Sequence, residues 1–420
     1  MSGFEEVDFF TDESLVADPY PYYESLRARC PVQAEPHHGA IAVTGYDEAT
    51  EIYRDSATFS NANCVVGPMV ELPFEPQGDD IGDLIERHRD QFPMYEHLVT
   101  FDPPQHTLHR ELLKKLFTPR RLKENEEFMW RLADRQIDEF LAQGKVEIMS
   151  EYAQPFALLV IADLLGVPEE DHQTFRTRLG AQRPGPLDEE FTGNPLEFLE
   201  ERFSAYIEDR RREPGQDVLT SLANARFSDG SLPEVIDVVR IATFLFAAGQ
   251  DTTARLLTSA LQILAERPDL QRTLREERDQ IPAFVEETLR MESPVKSDFR
   301  LARKTTTIGG VEIPAGSTVM LLPGAVNRDP ARFECPAEFR MNRGNVREHL
   351  AFARGNHSCP GAPLARVEAR VSLERLLDRL GDITISEAEH GTPDARRFTY
   401  EPTYILRGHK ALHLEYTPLG

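Results

Sequence analysis

The stretch Phe352-Ala-Arg-Gly-Asn-His-Ser-Cys-Pro-Gly361 reads as a short loop that presents one cysteine, Cys359. Gly355 lies four residues before it and Gly361 two after. Glycine lacks a Cβ, so it permits tight turns and close backbone approach. From Ala362 the run Ala-Pro-Leu-Ala-Arg-Val-Glu-Ala-Arg-Val-Ser-Leu-Glu-Arg-Leu-Leu places apolar residues three and four apart, which predicts a helix. Cys359 then stands at a helix mouth, where free amide N–H groups favour a thiolate and lower its pKa. A thiolate held this way can be a nucleophile, a zinc ligand or an axial haem ligand.

The totals narrow the field. A chain of 420 residues could hold two or three domains and is ample for a large core. A hydrophobic share of 40% and a mean hydropathy of −0.43 fit a soluble enzyme. The net charge of −24 argues against nucleic acid and against anionic lipid as partners. The acidic N-terminus lacks a signal sequence, and no run of 18 apolar residues predicts a membrane span. Cys30, Cys64, Cys335 and Cys359 have no Cys-x-x-Cys spacing, which weakens zinc and disulfides and suits the cytoplasm.

Along the chain, the alternation at Ala40-Ile-Ala-Val-Thr predicts a small hairpin, followed by a helix from Tyr46 to Arg54. Residues 61 to 100 lose the pattern and read as a lid or pocket wall, or else a plain surface insertion. Pro103 and Pro104 mark a helix start, and His106 and Arg110 share a face of that helix. Arg110, Lys114, Lys115, Arg120, Arg121 and Lys123 form a basic island that could steer an acidic partner or be ordinary solvated surface. The apolar run from Phe156 predicts a helix ending at Gly166, and residues 180 to 196 read as a loop.

Pro233 to Glu266 carries the longest helical pattern, apolar on several faces, and predicts a central buried helix. Its middle is Ala247-Ala-Gly-Gln-Asp-Thr-Thr253. Glycine costs about 1 kcal/mol relative to alanine there, and the polar groups need partners. Such a feature in a core marks a site. A further helix carries Glu287 and Arg290 on one face. Strands are expected within 308 to 322, at Ile383–Ile385, at Thr403–Leu406 and at Leu412–Tyr416. The simplest reading is one mostly helical domain with small sheets, an α+β chain spanning residues 1–420.

These stretches resemble the cytochrome P450 superfamily in its soluble bacterial form. Phe352, Gly355, His357, Cys359 and Gly361 match its cysteine loop, Phe-x-x-Gly-x-His/Arg-x-Cys-x-Gly. Ala248, Gly249, Asp251 and Thr252 match its central-helix motif. Glu287 and Arg290 match its Glu-x-x-Arg, with Asp102-Pro-Pro-x-His and Asn327-Arg-Asp-Pro as further matches. One departure stands out: where many members place an arginine in a Pro-x-x-Phe segment, this chain has Glu338, and Arg343 is the candidate replacement.

The resemblance implies the P450 fold, with the long central helix over a haem b (iron protoporphyrin IX). It implies Cys359 as the iron ligand, with Gly361 and Phe352 tuning and shielding the sulfur. His106, Arg110, Arg300 and His357 would hold the propionates. Asp251 and Thr252 would relay protons to bound dioxygen, with Ala248 and Gly249 leaving it room. The implied enzyme is a cytoplasmic, monomeric monooxygenase that inserts one atom of O2 into an apolar small molecule. Its electrons come from a separate ferredoxin or flavodoxin with its reductase, docking near Lys114–Lys123 and Arg354. Substrate walls are expected at 65 to 100, 175 to 196, Phe244, Ala247, Val295–Phe299 and Phe398–Tyr400. The rivals are a peroxide-driven hydroxylase and a haem-thiolate sensor.

Overall fold

The computed structural model describes residue 4 and residues 6–113, 116–175 and 197–419. Lys114 and Lys115, the loop at 180–196 and nearly all of the wall at 175–196 lie outside the described residues. The architecture is mostly helical with small sheets, as the sequence predicts.

The central helix, Val235–Glu266, is 32 residues long, about 48 Å at 1.5 Å per residue. Val238, Val239, Ile241, Ala242 and Phe246 are buried near its start, and Leu256, Leu257, Leu261 and Leu264 near its end. Burying each large apolar side chain contributes roughly 1.5–3 kcal/mol, so the helix must be wrapped by neighbours. It packs against Gln154–Leu165, Glu197–Arg212 and Ala362–Arg379. The first of these stops at Gly166, whose φ of +77° lets its N–H close back on Ala162 and Asp163. The helix Pro119–Phe140 starts where Thr118 accepts a hydrogen bond from the Arg121 N–H and Pro119 takes the first turn.

A five-stranded sheet lies beside this bundle in the order β1 (Val32–Ala34), β2 (Ile41–Val43), β8 (Thr318–Leu321), β5 (Asp298–Ala302), β3 (Phe59–Ser60). β5 runs antiparallel to β8 with Arg300 opposite Val319, which fixes where Arg300 projects. Next to β5, Gly67 adopts φ +57°, and a Cβ there would lie 2.7 Å from the Phe299 ring. A second sheet orders β4 (Lys145–Glu147), β10 (His413–Pro418) and β9 (Leu380–Ile385), and β6 (Thr306–Ile308) and β7 (Val311–Ile313) form a hairpin.

The strand expected at Thr403–Leu406 is absent; only isolated bridges, Val295 to Leu406 and Tyr400 to His409, occur there. The backbone is engaged sideways instead. Ile405 O accepts from Lys296 N at 2.7 Å, Tyr404 O from the Ser297 hydroxyl, and Arg407 N donates to Pro294 O. These bonds tie the segment to the 294–297 turn and leave no ladder to extend. Among the described residues no helix is long and apolar enough to cross a membrane.

Candidate active site

The cysteine loop is closed by its own backbone. The Cys359 N–H donates to Phe352 O at 2.9 Å, and Ser358 N to Gly355 O at 3.1 Å. Gly355 has φ +71°, and a Cβ there would overlap the Tyr53 carbonyl oxygen at the end of the Tyr46–Arg54 helix. Only glycine fits that contact. At Gly361 a Cβ would merely touch the sulfur at 3.8 Å, so space does not force this glycine. Solvent reaches the Cys359 side chain, yet protein atoms crowd its other sides. This burial raises the thiol pKa, and the Gly361 N–H, Arg110 and the Ala362 N–H offset it only partly. The expected lowering by the helix mouth is therefore reversed by desolvation. A cation bound at the sulfur would favour the thiolate.

Four predicted cationic or imidazole residues converge beside this loop. The His106 and His357 rings lie 4.0 Å apart. Burial, then Arg110, pushes His106 down to about 4. Burial, then His106, Arg300 and Arg110, holds His357 well below its usual value. Burial disfavours the charged form of both, and among the described residues both leave a buried Nε2 without a hydrogen-bond partner. Arg110 donates to Ser358 O, and the buried Arg300 pairs with Asp298 at 2.8 Å. Two orphaned ring nitrogens between two guanidinium groups form a donor set suited to a pair of carboxylates. Haem propionates fit it.

The middle of the central helix is open where its ends are closed. Phe244, Ala247, Asp251 and Thr252 are half-buried and Ala248 is exposed, at the three- and four-residue spacing of one helix face. Thr252 Oγ1 donates to Ala248 O at 3.0 Å. A Cβ on Gly249 would lie 3.5 Å from Ile161, so this glycine faces the Gln154–Leu165 helix, and Ala248 is the accessible small residue. Asp251 accepts from Arg255, a partner whose i,i+4 spacing was legible in the sequence.

The loop hangs on buried polar anchors. Arg290 holds both Glu287 oxygens at 2.7 and 2.8 Å, and Arg343 Nε reaches Glu287 Oε1 at 2.8 Å. Arg343 thus fills the place left by Glu338, whose carboxylate pairs with Arg340 instead. Arg290 also donates to Asn327 O, and Asn327 Oδ1 accepts from Leu350 N at the loop's start. Sequence reasoning missed a second anchor. Burial would raise the Glu286 pKa, but hydrogen bonds from His349 and Arg366 bring it down to about 2. Arg366 lies over the Phe352 ring at 4.7 Å. Asp102, named in the sequence only as part of a motif, accepts from Ser60 Oγ, Asn61 N and Arg89 and ties the 89–100 loop to β3.

The basic island is partly committed elsewhere. Arg121 turns inward onto the Asp163 and Leu164 carbonyls, and Arg354 onto Tyr46 and Glu348. Arg120 and Lys123 remain exposed.

The family model described as Cytochrome P450 matches residues 190–396. The chain is similar to the Mycobacterium marinum cytochrome P450 CYP150A6 in its substrate-free form, at 63% identity and a TM-score of 0.95 over 100% of both chains. It is similar to cytochrome P450 144 of Mycobacterium tuberculosis, 36% identical over 90% of this chain and 86% of that protein. It also resembles CYP109E1 from Bacillus megaterium in complex with corticosterone, at 27% identity and a TM-score of 0.79 over 96% and 100% of the two chains. The chain belongs to the cytochrome P450 family, haem-iron monooxygenases that consume dioxygen with electrons from a redox partner.

Proposed function

We propose that residues 1–420 form one P450 domain that binds haem b through Cys359 and hydroxylates an apolar small molecule. The observation that carries this reading is the convergence of Cys359 with the unpartnered His106 and His357 nitrogens and the Arg110 and Arg300 cations. Cys359 would hold the haem iron, with the Gly361 N–H aimed at its sulfur and Phe352 shielding it. His106, Arg110, Arg300 and His357 hold the propionates. When bound, the haem supplies binding and reductive activation of dioxygen.

The chain's own residues then move protons and exclude water. Thr252 presents a hydroxyl on the open stripe, beside the small Ala248, and Asp251 connects that hydroxyl toward solvent. Phe244, Ala247, Val295 and Phe398 form apolar wall. The relative crystallised with corticosterone supports an apolar substrate class. Electrons come from a ferredoxin or flavodoxin, and Arg120 and Lys123 are described cations that could steer it. The four free cysteines suit a cytoplasmic monomer.

The test is a library screen for the low-to-high-spin shift, followed by turnover of each binder with a ferredoxin and reductase under labelled dioxygen. The expected product carries one labelled oxygen atom. Turnover with hydrogen peroxide but none with any ferredoxin system contradicts this and favours a peroxide-driven hydroxylase. Gas binding without turnover in every reductase system favours a sensor.

A further inference from the structure

We infer that Arg255 is a positioning residue for the Asp251–Thr252 relay, holding Asp251 in place by bracing on the C-terminal loop at Gly408. The inference rests on the relay reading above.

Arg255 and Asp251 lie one turn apart on the central helix. Arg255 Nη2 and Nε donate to Asp251 Oδ2 at 2.9 and 3.2 Å. An exposed pair at this spacing is weak, because water screens it and both side chains wander. This pair is asymmetric. The Arg255 side chain is 4% exposed and that of Asp251 31%. Burial therefore fixes the cation, and the cation fixes the carboxylate.

Gly408 is what fixes the arginine stem. A Cβ at Gly408 would overlap Arg255 Cγ and lie 2.9 Å from its Cβ and 3.0 Å from its Cδ. The stem lies flat on the Gly408 backbone, in space that only glycine leaves free. Arg255 Nη1 is buried and has no hydrogen-bond partner among the described residues. Asp251 is the one carboxylate paired with Arg255 among the described residues. Moving that carboxylate away would leave a buried guanidinium uncompensated.

The surroundings do not compete for Asp251. The neighbouring His409 stacks on Tyr400 at 4.7 Å, and burial, then Arg407, His390 and Arg255, pushes it down to about 3. It is neutral at working pH. The loop is itself braced: Glu401 N donates to Gly408 O at 3.1 Å, and Arg407 N to Pro294 O at 2.9 Å. The same loop carries Phe398 to Tyr400, proposed above as substrate wall. A shift of that wall would reach the relay through Gly408 and Arg255.

The test compares haem-loaded Arg255→Gln, Arg255→Lys, Gly408→Ala, Asp251→Asn and the Arg255→Gln/Asp251→Asn double variant. Crystal structures read the Asp251 position. A second readout needs no substrate: the reduced protein is mixed with dioxygen, and the return of the ferric spectrum is timed in H2O and D2O. Arg255→Gln and Gly408→Ala are expected to displace the carboxylate and change that rate by about threefold or more, with an altered solvent isotope effect. Arg255→Lys should restore most of the wild-type behaviour, and Arg255→Gln should add nothing once Asp251 is Asn. An unmoved Asp251 and unchanged rates, with Asp251→Asn still altered, overturn the positioning role alone. So does a full Arg255→Gln effect in the Asp251→Asn background. A wild-type rate in Asp251→Asn overturns the relay and the positioning role together.

Discussion

The two sides of the candidate site are built to different rules. Behind the cysteine loop the anchoring groups are tied: Glu287 by two arginines, Glu286 by His349 and Arg366, and the Leu350 N–H by Asn327. In the middle of the central helix the reverse holds. Ala248 is exposed, and among the described residues Thr252 bonds only back to its own helix and Asp251 is held by one partner. The closed side fixes the loop that presents Cys359, through the Gly355–Tyr53 backbone contact and the Cys359 N–H bond to Phe352 O. The open side keeps donors and acceptors available for reactants. On the proposed function, one side would grip a cofactor and the other move protons, and the tasks separate because a fully satisfied network is rigid.

That contrast predicts unequal mutational costs. Arg343→Ala removes one of two cations from a buried carboxylate and should cost about 3–5 kcal/mol, with a lower melting temperature and loss of bound haem. A wild-type melting curve with full haem content would break the idea that these anchors hold the loop. Thr252→Ala lies at the other extreme. Its hydroxyl bonds only to Ala248 O, so the stability change should stay below about 1 kcal/mol. Its effect should appear as dioxygen consumption diverted from product to peroxide. Unchanged coupling would remove Thr252 from proton transfer and leave it a helix-bending residue.

Local patterns carried much of this architecture. The Tyr46–Arg54 helix, the central helix and the cysteine loop follow from spacing, glycine and proline within one segment. The cation cluster was reached through the family resemblance, since nothing local links His106 to His357 or Arg300. The Glu286–His349–Arg366 anchor joins residues 63 and 80 positions apart, which no periodicity reveals. The Asp251–Arg255 pair was visible as an i,i+4 spacing, but its weight comes from Gly408, distant in sequence. The thiol pKa ran opposite to expectation because helix-mouth N–H groups are local and desolvation is not. The basic island lost Arg121 because a helix end elsewhere needed its carbonyls satisfied.

The central claim is that Cys359 is the axial thiolate of a haem held by this loop. The most direct measurement is the absorption spectrum of the reduced carbon monoxide complex in wild-type and Cys359→Ser protein. The account predicts a thiolate-type Soret shift in the wild type that disappears in Cys359→Ser. Retention of that shift in the serine variant would contradict it.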